Sequence, residues 1–358
     1  MKAKQAKLST TKYIIAGLVS AFLFGAATPA SKALLGTIQP QLLAGLLYLG
    51  AALGVLPVVI KERAFKWPWR ADRRTFLLLT GAIVLGGILG PLLLLLALKA
   101  ASSGSVSLWL NLEFVATVIL GHFVFREQLS LRGWIGAGGT ILAALLLAGG
   151  EGGGGIIPAI LITFGCVCWG FDNHFTALID GISPAQTTLW KGVVAGAFNL
   201  LVGGAIAGGV GLSVLCIIAL LVGSVSYGLS ITLYITAAHG LGATRSQMIF
   251  STAPLFGLLL SVTALGEAFT GAQAMASVVI IASLLVVFSE KHIHLHRHDF
   301  ILHQHRHHHD GLHHNHDHNE LRDTLNHAHW HEHKPQEHAH KHLPDLHHRH
   351  NHEDEDEH

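Results

Sequence analysis

Ten stretches of the chain, each about 20 residues long and nearly free of charge, decide what it can fold into. They run at approximately 13–35, 41–60, 75–98, 103–125, 133–149, 156–179, 185–207, 211–237, 245–266 and 271–289. A helix of that length crosses the ~30 Å hydrocarbon core of a bilayer. A soluble chain of 358 residues has no use for so many uninterrupted apolar windows. The fourth and sixth windows carry ionisable residues and must still be helical, because lipid offers the backbone no other partner. The expected fold is an all-α membrane protein with ten transmembrane helices. The first window follows "MKAKQAKLSTTK" and runs into "GAATPA", like a signal peptide. Pro29 and Lys32 interrupt that region and further windows follow at once, so it reads as a retained helix.

Lysine and arginine set the orientation. Lys2, Lys4, Lys7 and Lys12 precede the first window, and "KERAFKWPWRADRR" follows the second, with Trp67 and Trp69 as interfacial anchors. Arg126, Arg132 and Arg245 lie at connections on that same side, while "GTIQPQ", "EGGGG", "AIAGGVG" and "GEAFTG" on the other side carry neither residue. Only Lys99 runs against the trend. The positive-inside rule then makes both termini cytoplasmic, in a bacterial-type inner membrane. Cys166, Cys168 and Cys216 all fall in apolar windows and read as small buried hydrophobes, with no disulfide framework.

The two halves resemble each other. "FLFGAATPASKALLGTIQPQ" parallels "CVCWGFDNHFTALIDGISPAQ", each with a glycine (Gly25, Gly170) and then a proline (Pro40, Pro184) after a similar interval. Glu127 and Glu267 each close a fourth span, followed by Ser130 or Thr270 placed to cap the next helix. Thr270 and Gln273 fit a capping box. Five spans per copy is odd, so the second copy lies inverted relative to the first, an arrangement characteristic of secondary transporters. The division is an N-terminal segment 1–12, repeats 13–150 and 151–290 joined at the glycine run 152–155, and a tail 291–358.

These motifs, with "LNLEFVATVILGHFVFRE" and "HGLGATRSQMIFSTAPLFGLLLSVTALGE", make the chain resemble the EamA family of the drug/metabolite transporter superfamily. The resemblance implies a basket of ten helices around a central cavity lined by the first four helices of each repeat. The fifth and tenth would be peripheral and available for a homodimer contact. Members export amino acids, metabolites and drugs. One departure is Glu113 near where the second repeat has Pro254, so the halves are not equivalent.

Ionisable residues inside a bilayer are costly and tend to face a cavity or a partner. Glu113 could bind a cationic substrate, take up a proton, or only hydrogen-bond a neighbouring helix. Asn111 points to a different face. Asp172, Asn173 and His174 form a second cluster, in which Asp172 contacts substrate or is locked in an ion pair with Lys191. His174 is a proton relay or a satisfied core histidine. Thr28–Pro29 and Thr252–Pro254 interrupt helical hydrogen bonding and either free carbonyls for substrate or mark hinges. Lys32 either snorkels outward or neutralises an anionic substrate. Glu127 and Glu267 are gate partners or structural acids. Gly81, Gly86, Gly87 and Gly90 let helices pack closely.

Of 28 histidines, 25 lie beyond residue 291. Few hydrophobes and many charges predict a tail that is disordered without a ligand. Its His-x-His and His-His pairs (His292, His294, His296, His298, His303, His305, His307, His308, His309, His313, His314, His316 and His318) mix with Asp and Glu. That mixture suits Zn, Ni, Co or Cu, in several weak sites and no single closed tetrahedral one. No cofactor is required otherwise, no nucleic acid is implied, and the loops carry no enzyme motif or ATP-binding motif. Three readings stay open: an exporter of a small metabolite or drug by alternating access, a Ni/Co/Zn exporter, and a membrane-anchored metal buffer or sensor.

Overall fold

The computed structural model describes residues 2–62, 64–126, 129–150, 155–179, 181–209, 211, 213–241 and 249–288, and further on 293–298, 301–307, 327–333 and 336–341. The chain divides into two units, Met1–Glu290 and Lys291–His358.

The first unit is helical. Eight helices among the described residues are long and apolar enough to cross a membrane: α1 (Thr11–Leu34), α2 (Pro40–Ile60), α3 (Arg73–Ala100), α4 (Ser103–Phe123), α5 (Leu131–Gly150), α6 (Ile156–Ala177), α7 (Pro184–Ala207) and α8 (Val214–Ala237). Two shorter apolar helices follow, α9 (Ala253–Leu265) and α10 (Gly271–Val287). Residues 242–248, which include the start of the ninth apolar window, lie outside the described residues. The helix starts are chemically specified. Asp72 accepts from the Thr75 amide (3.0 Å) ahead of α3, and hydrogen bonds from Thr75 hold its exposed carboxyl below the usual carboxylate range. Ser130 accepts from the Gly133 amide (3.1 Å), and Ser183 from the Gln186 amide (3.1 Å). Thr270 and Gln273 form the expected reciprocal box, with bonds of 3.1 and 3.2 Å.

Glycine decides which helices meet. A Cβ on Gly25 of α1 would strike the Ala253 carbonyl of α9, and one on Gly170 of α6 would press on the Ala116–Thr117 backbone of α4. Gly45 of α2 meets the backbone of α7 around Leu200. Gly136 and Gly139 of α5 receive Val287 and Ser283 of α10, so the small-residue face of the fifth helix is used inside the chain. Such close approach supplies dispersion contact in lipid, where water does not drive association.

Two helices change pitch midway. α3 is π-helical over Ala82–Leu89 and α8 over Gly223–Leu229; the Gly90 amide reaches back five residues to Leu85, and the Ser230 amide to Val225. A π turn displaces a carbonyl from the helical ladder and leaves it open to other donors.

In the second unit the described residues form strands. β1 (Ile293–His298) pairs antiparallel with β4 (Gln336–Lys341), and β2 (Ile301–His307) with β3 (His327–His333). The composition is polar, but the pattern alternates with period two, which is the strand period. Of the tail histidines named above, His292, His308, His309, His313, His314, His316 and His318 lie outside the described residues.

Candidate substrate site

The π segment of α3 organises the polar centre. The Gly86 carbonyl accepts from the Tyr48 hydroxyl (2.5 Å) and the Trp169 indole (3.1 Å). The Gly87 carbonyl accepts from the Asn199 amide (3.3 Å), whose oxygen accepts from Gln41 (2.6 Å). A backbone irregularity at membrane depth survives only where protein donors satisfy it, and here three side chains do so, with Gln41 holding one of them. Three residues of α6 seat on glycines of α3: Phe175 on Gly81, Asp172 on Gly86 and Trp169 on Gly90. Any side chain at 86 would occupy the place of the Asp172 carboxylate.

Asp172 is buried. Its Oδ2 takes the Lys191 ammonium at 2.5 Å, and its Oδ1 accepts from the Thr176 hydroxyl at 3.2 Å. Two ions taken out of water persist only as a closely paired, hydrogen-bonded unit. The sequence posed Asp172 as either substrate ligand or half of an ion pair, and the geometry is that of the pair, bridging α6 and α7.

One residue along, Asn173 does something different. Its amide donates to Glu113 Oε1 (3.0 Å) and Thr117 Oγ1 (3.2 Å) of α4, and the residue is exposed. Phe164, Ile160 and Ile157 form an exposed apolar face of the same helix. Nine residues at about 100° each place Asn173 half a turn away from Phe164. It therefore lies on the side of the helix that meets α4, away from the Phe164 face. Glu113 is half-buried and held by a neutral amide, whereas Asp172 is neutralised by an ammonium. Just before Glu113, α4 tightens: the Leu110 and Asn111 amides bond to carbonyls three residues back.

Facing helices supply rings. Tyr48 sits 6.0 Å from Tyr227, Tyr227 5.7 Å from Phe24, Phe24 5.0 Å from Phe250, and Phe250 5.2 Å from Tyr234 (ring centroids). Tyr48 belongs to both sets, its hydroxyl on Gly86 and its ring against Tyr227.

The remaining sequence candidates fall elsewhere. Asn111 is buried and donates to the Leu108 carbonyl of its own helix (3.1 Å). Buried His174 lies 2.7 Å from the Gly170 carbonyl and stacks on Phe125 at 4.2 Å, a satisfied core histidine. Thr252 bonds back to Ile249 (2.6 Å), and Thr28 is buried. Lys32 takes the Leu98 and Ala101 carbonyls (2.5 and 2.8 Å) at the end of α3, capping that helix and compensating its dipole. Glu267 receives the Ser103 amide and hydroxyl (2.9 and 2.8 Å) and the Gly104 amide (2.9 Å), a carboxylate closing the start of α4. Glu127 lies outside the described residues.

Tyr48, Trp169, Gln41, Asn199 and the ring chain were missed from sequence. The available signal was a polar or aromatic residue inside an otherwise apolar window, which holds for Gln41, Tyr48, Asn199 and Tyr227.

Membrane-length helices around an internal polar and aromatic centre define a multi-pass membrane protein. A model of the EamA-like transporter family matches residues 11–149 and 156–289, and the chain belongs to that family, part of the drug/metabolite transporter superfamily. It is 23% identical over 300 residues to a protein from Methanothermobacter thermautotrophicus described as an uncharacterized transporter, covering 76% of this chain and 84% of the relative. A chain of known crystal structure shares the fold with a TM-score of 0.55 at 17% identity, over 77% of this chain and 95% of that one.

Proposed function

We propose that this protein is a secondary transporter that exports a small amine-bearing metabolite or drug by alternating access. The observation that carries the reading is the Glu113–Asn173 pair, a half-buried carboxylate held by a neutral amide, in a bundle whose Tyr48, Tyr227 and Phe24 rings form a contiguous chain. A carboxylate matches an ammonium group, and rings match the apolar or cationic face of an organic solute. The Asp172–Lys191 pair is the scaffold that fixes Asn173 against Glu113.

The reading takes the ten apolar helices as ten spans in two inverted repeats. Equivalent packings support it: Gly25 joins α1 to α9 as Gly170 joins α6 to α4, and the π segments fall in the third helix of each half. The lysine and arginine distribution supports cytoplasmic termini in an inner membrane.

The test is cellular content, by mass spectrometry, of amine-bearing metabolites, drugs, Ni, Co and Zn under load. Cells would express the wild type, Glu113→Gln, or a chain ending at Glu290. The expected result is lower content of an organic amine, abolished by Glu113→Gln and retained on truncation. A metal lowered by the wild type instead, with Glu113→Gln inactive, would replace the organic solute with a divalent cation.

A further inference from the structure

The connection between α2 and α3 stacks aromatic rings on the outside of the protein. Trp67 and Trp190 contact each other, and each also contacts Phe65 and Trp69, with ring centroids between 4.7 and 5.7 Å apart. Phe65 and Trp67 are exposed, and Trp69 is 64% exposed. Polar bonds to the start of α7, not burial, fix this arrangement. Gln186 accepts from the Lys66 amide (2.8 Å) and donates to the Ala64 carbonyl (2.7 Å). The Trp190 indole donates to the Lys66 carbonyl (3.2 Å), and Glu62 accepts from Ser183 (2.7 Å). The loop is held in place while its rings stay uncovered.

Cations alternate with these rings along the chain. Lys61, Lys66, Arg70, Arg73 and Arg74 are exposed. The acids of the same segment are Glu62 and Asp72. Glu62 accepts from Ser183 and Gln186, and Asp72 from the Thr75 amide at the start of α3. Exposed Ile60, Phe76, Leu77 and Val194 continue the apolar surface into α2, α3 and α7. Positive charge, amphipathic rings and an apolar wall therefore meet at one end of the bundle.

We propose that this platform is a docking site for an anionic phospholipid. Arg70, Arg73 and Arg74 take the phosphate, and the rings take the glycerol and ester region beside it. Guanidinium groups match phosphate oxygens with paired hydrogen bonds, and tryptophan rests at headgroup level with one edge apolar and one polar. The cations repel the ammonium of a zwitterionic headgroup, so charge selects the anionic lipid. A soluble phosphate would use the cations and leave the rings bare, which is why the occupant is a lipid. Trp190 directly precedes Lys191, the partner of Asp172, so a lipid held here grips the same turn of α7.

The full-length protein in detergent, titrated with phosphatidylglycerol or phosphatidylcholine and read by native mass spectrometry, tests this. The expected result is saturable binding that prefers phosphatidylglycerol, with a rise in the thermal midpoint that phosphatidylcholine does not give. Joint Arg70→Gln, Arg73→Gln and Arg74→Gln should weaken that binding about a hundredfold, each surface cation being worth about a factor of five toward anionic lipid. Arg73 and Arg74 open α3, where loss of positive charge suits the helix dipole, so this variant keeps its fold. Trp69→Leu should weaken binding less. The charge-matched Lys4→Gln, Lys7→Gln and Lys12→Gln variant should bind as the wild type does. Equal binding of the two lipids, or equal loss in both triple variants, would overturn the site. Displacement by inorganic phosphate as readily as by phosphatidylglycerol would also overturn it, in favour of a soluble anion.

Discussion

Two groups of four helices in this protein share a packing plan and differ in chemistry. In one, α3 and α4 meet α6 and α7; the π turn of α3 lies against the Asp172–Lys191 ion pair, and the Glu113–Asn173 hydrogen bond joins α4 to α6. In the other, α8 and α9 meet α1 and α2, and the π turn of α8 lies against Gly50 and Gly54 of α2 beside a chain of aromatic rings. Counting two and three residues beyond the matched glycines gives Asp172 and Asn173 after Gly170, but Ala27 and Thr28 after Gly25. The backbone contacts recur while the charges do not. Packing can therefore be repeated across a molecule while a binding site is confined to one part of it.

The largest expected effect separates the groups by charge. Asp172→Ala leaves the Lys191 ammonium buried without its partner and should cost about 3–5 kcal/mol, whereas joint Asp172→Asn and Lys191→Met should restore most of that. In the ring-lined group, Ser20 and Ser230 exchange neutral hydrogen bonds, 2.7 Å to the Ser230 carbonyl and 3.0 Å back to that of Ser20. Replacing Ser20 by Ala should cost only about 1–3 kcal/mol. Denaturant titration of both variants in mixed micelles measures the contrast; equal losses would break it.

Gly86→Ala comes next. Its Cβ displaces the Asp172 carboxylate, with an overpacking cost of about 1–3 kcal/mol. Adding Asp172→Gly relieves the clash but strands the Lys191 ammonium, so thermal unfolding should show the two losses combining to less than their sum. Glu267→Gln loosens the tie between the end of α9 and the start of α4, the seam between the groups. Loss of the charge from a cap accepting three hydrogen bonds should cost about 1–2 kcal/mol. The smallest change, Thr270→Ala, removes one side of the α10 capping box for about 1 kcal/mol by the same assay, without effect on transport.

Much of the helical framework can be read in the sequence because it follows from local rules. Apolar length marks the helices, hydroxyl residues cap them, and glycines mark close approaches, as Gly25, Gly170 and the α10 box illustrate. What escapes those rules depends on partners distant in sequence. The π turn of α3 needs Tyr48, Trp169 and Asn199 as donors to its carbonyls, and those donors come from three other helices. Asn111 and Thr252 looked available for substrate but bond to backbone carbonyls three residues back, as short polar side chains do. In the tail, His-x-His alternation has the period of the strands that the described residues form.

The account turns on Asn173 facing an aqueous space within the bundle, which can be measured without knowing the substrate. In a background with Cys166, Cys168 and Cys216 replaced by Ala, Asn173→Cys and Phe164→Cys would each be exposed in membranes to a membrane-impermeant maleimide, applied to each side in turn. The account predicts rapid labelling at 173, slowed by Glu113-directed amines, and none at 164. No labelling at 173 from either side, or equal labelling at both positions, would contradict an inward-facing site at Glu113 and Asn173.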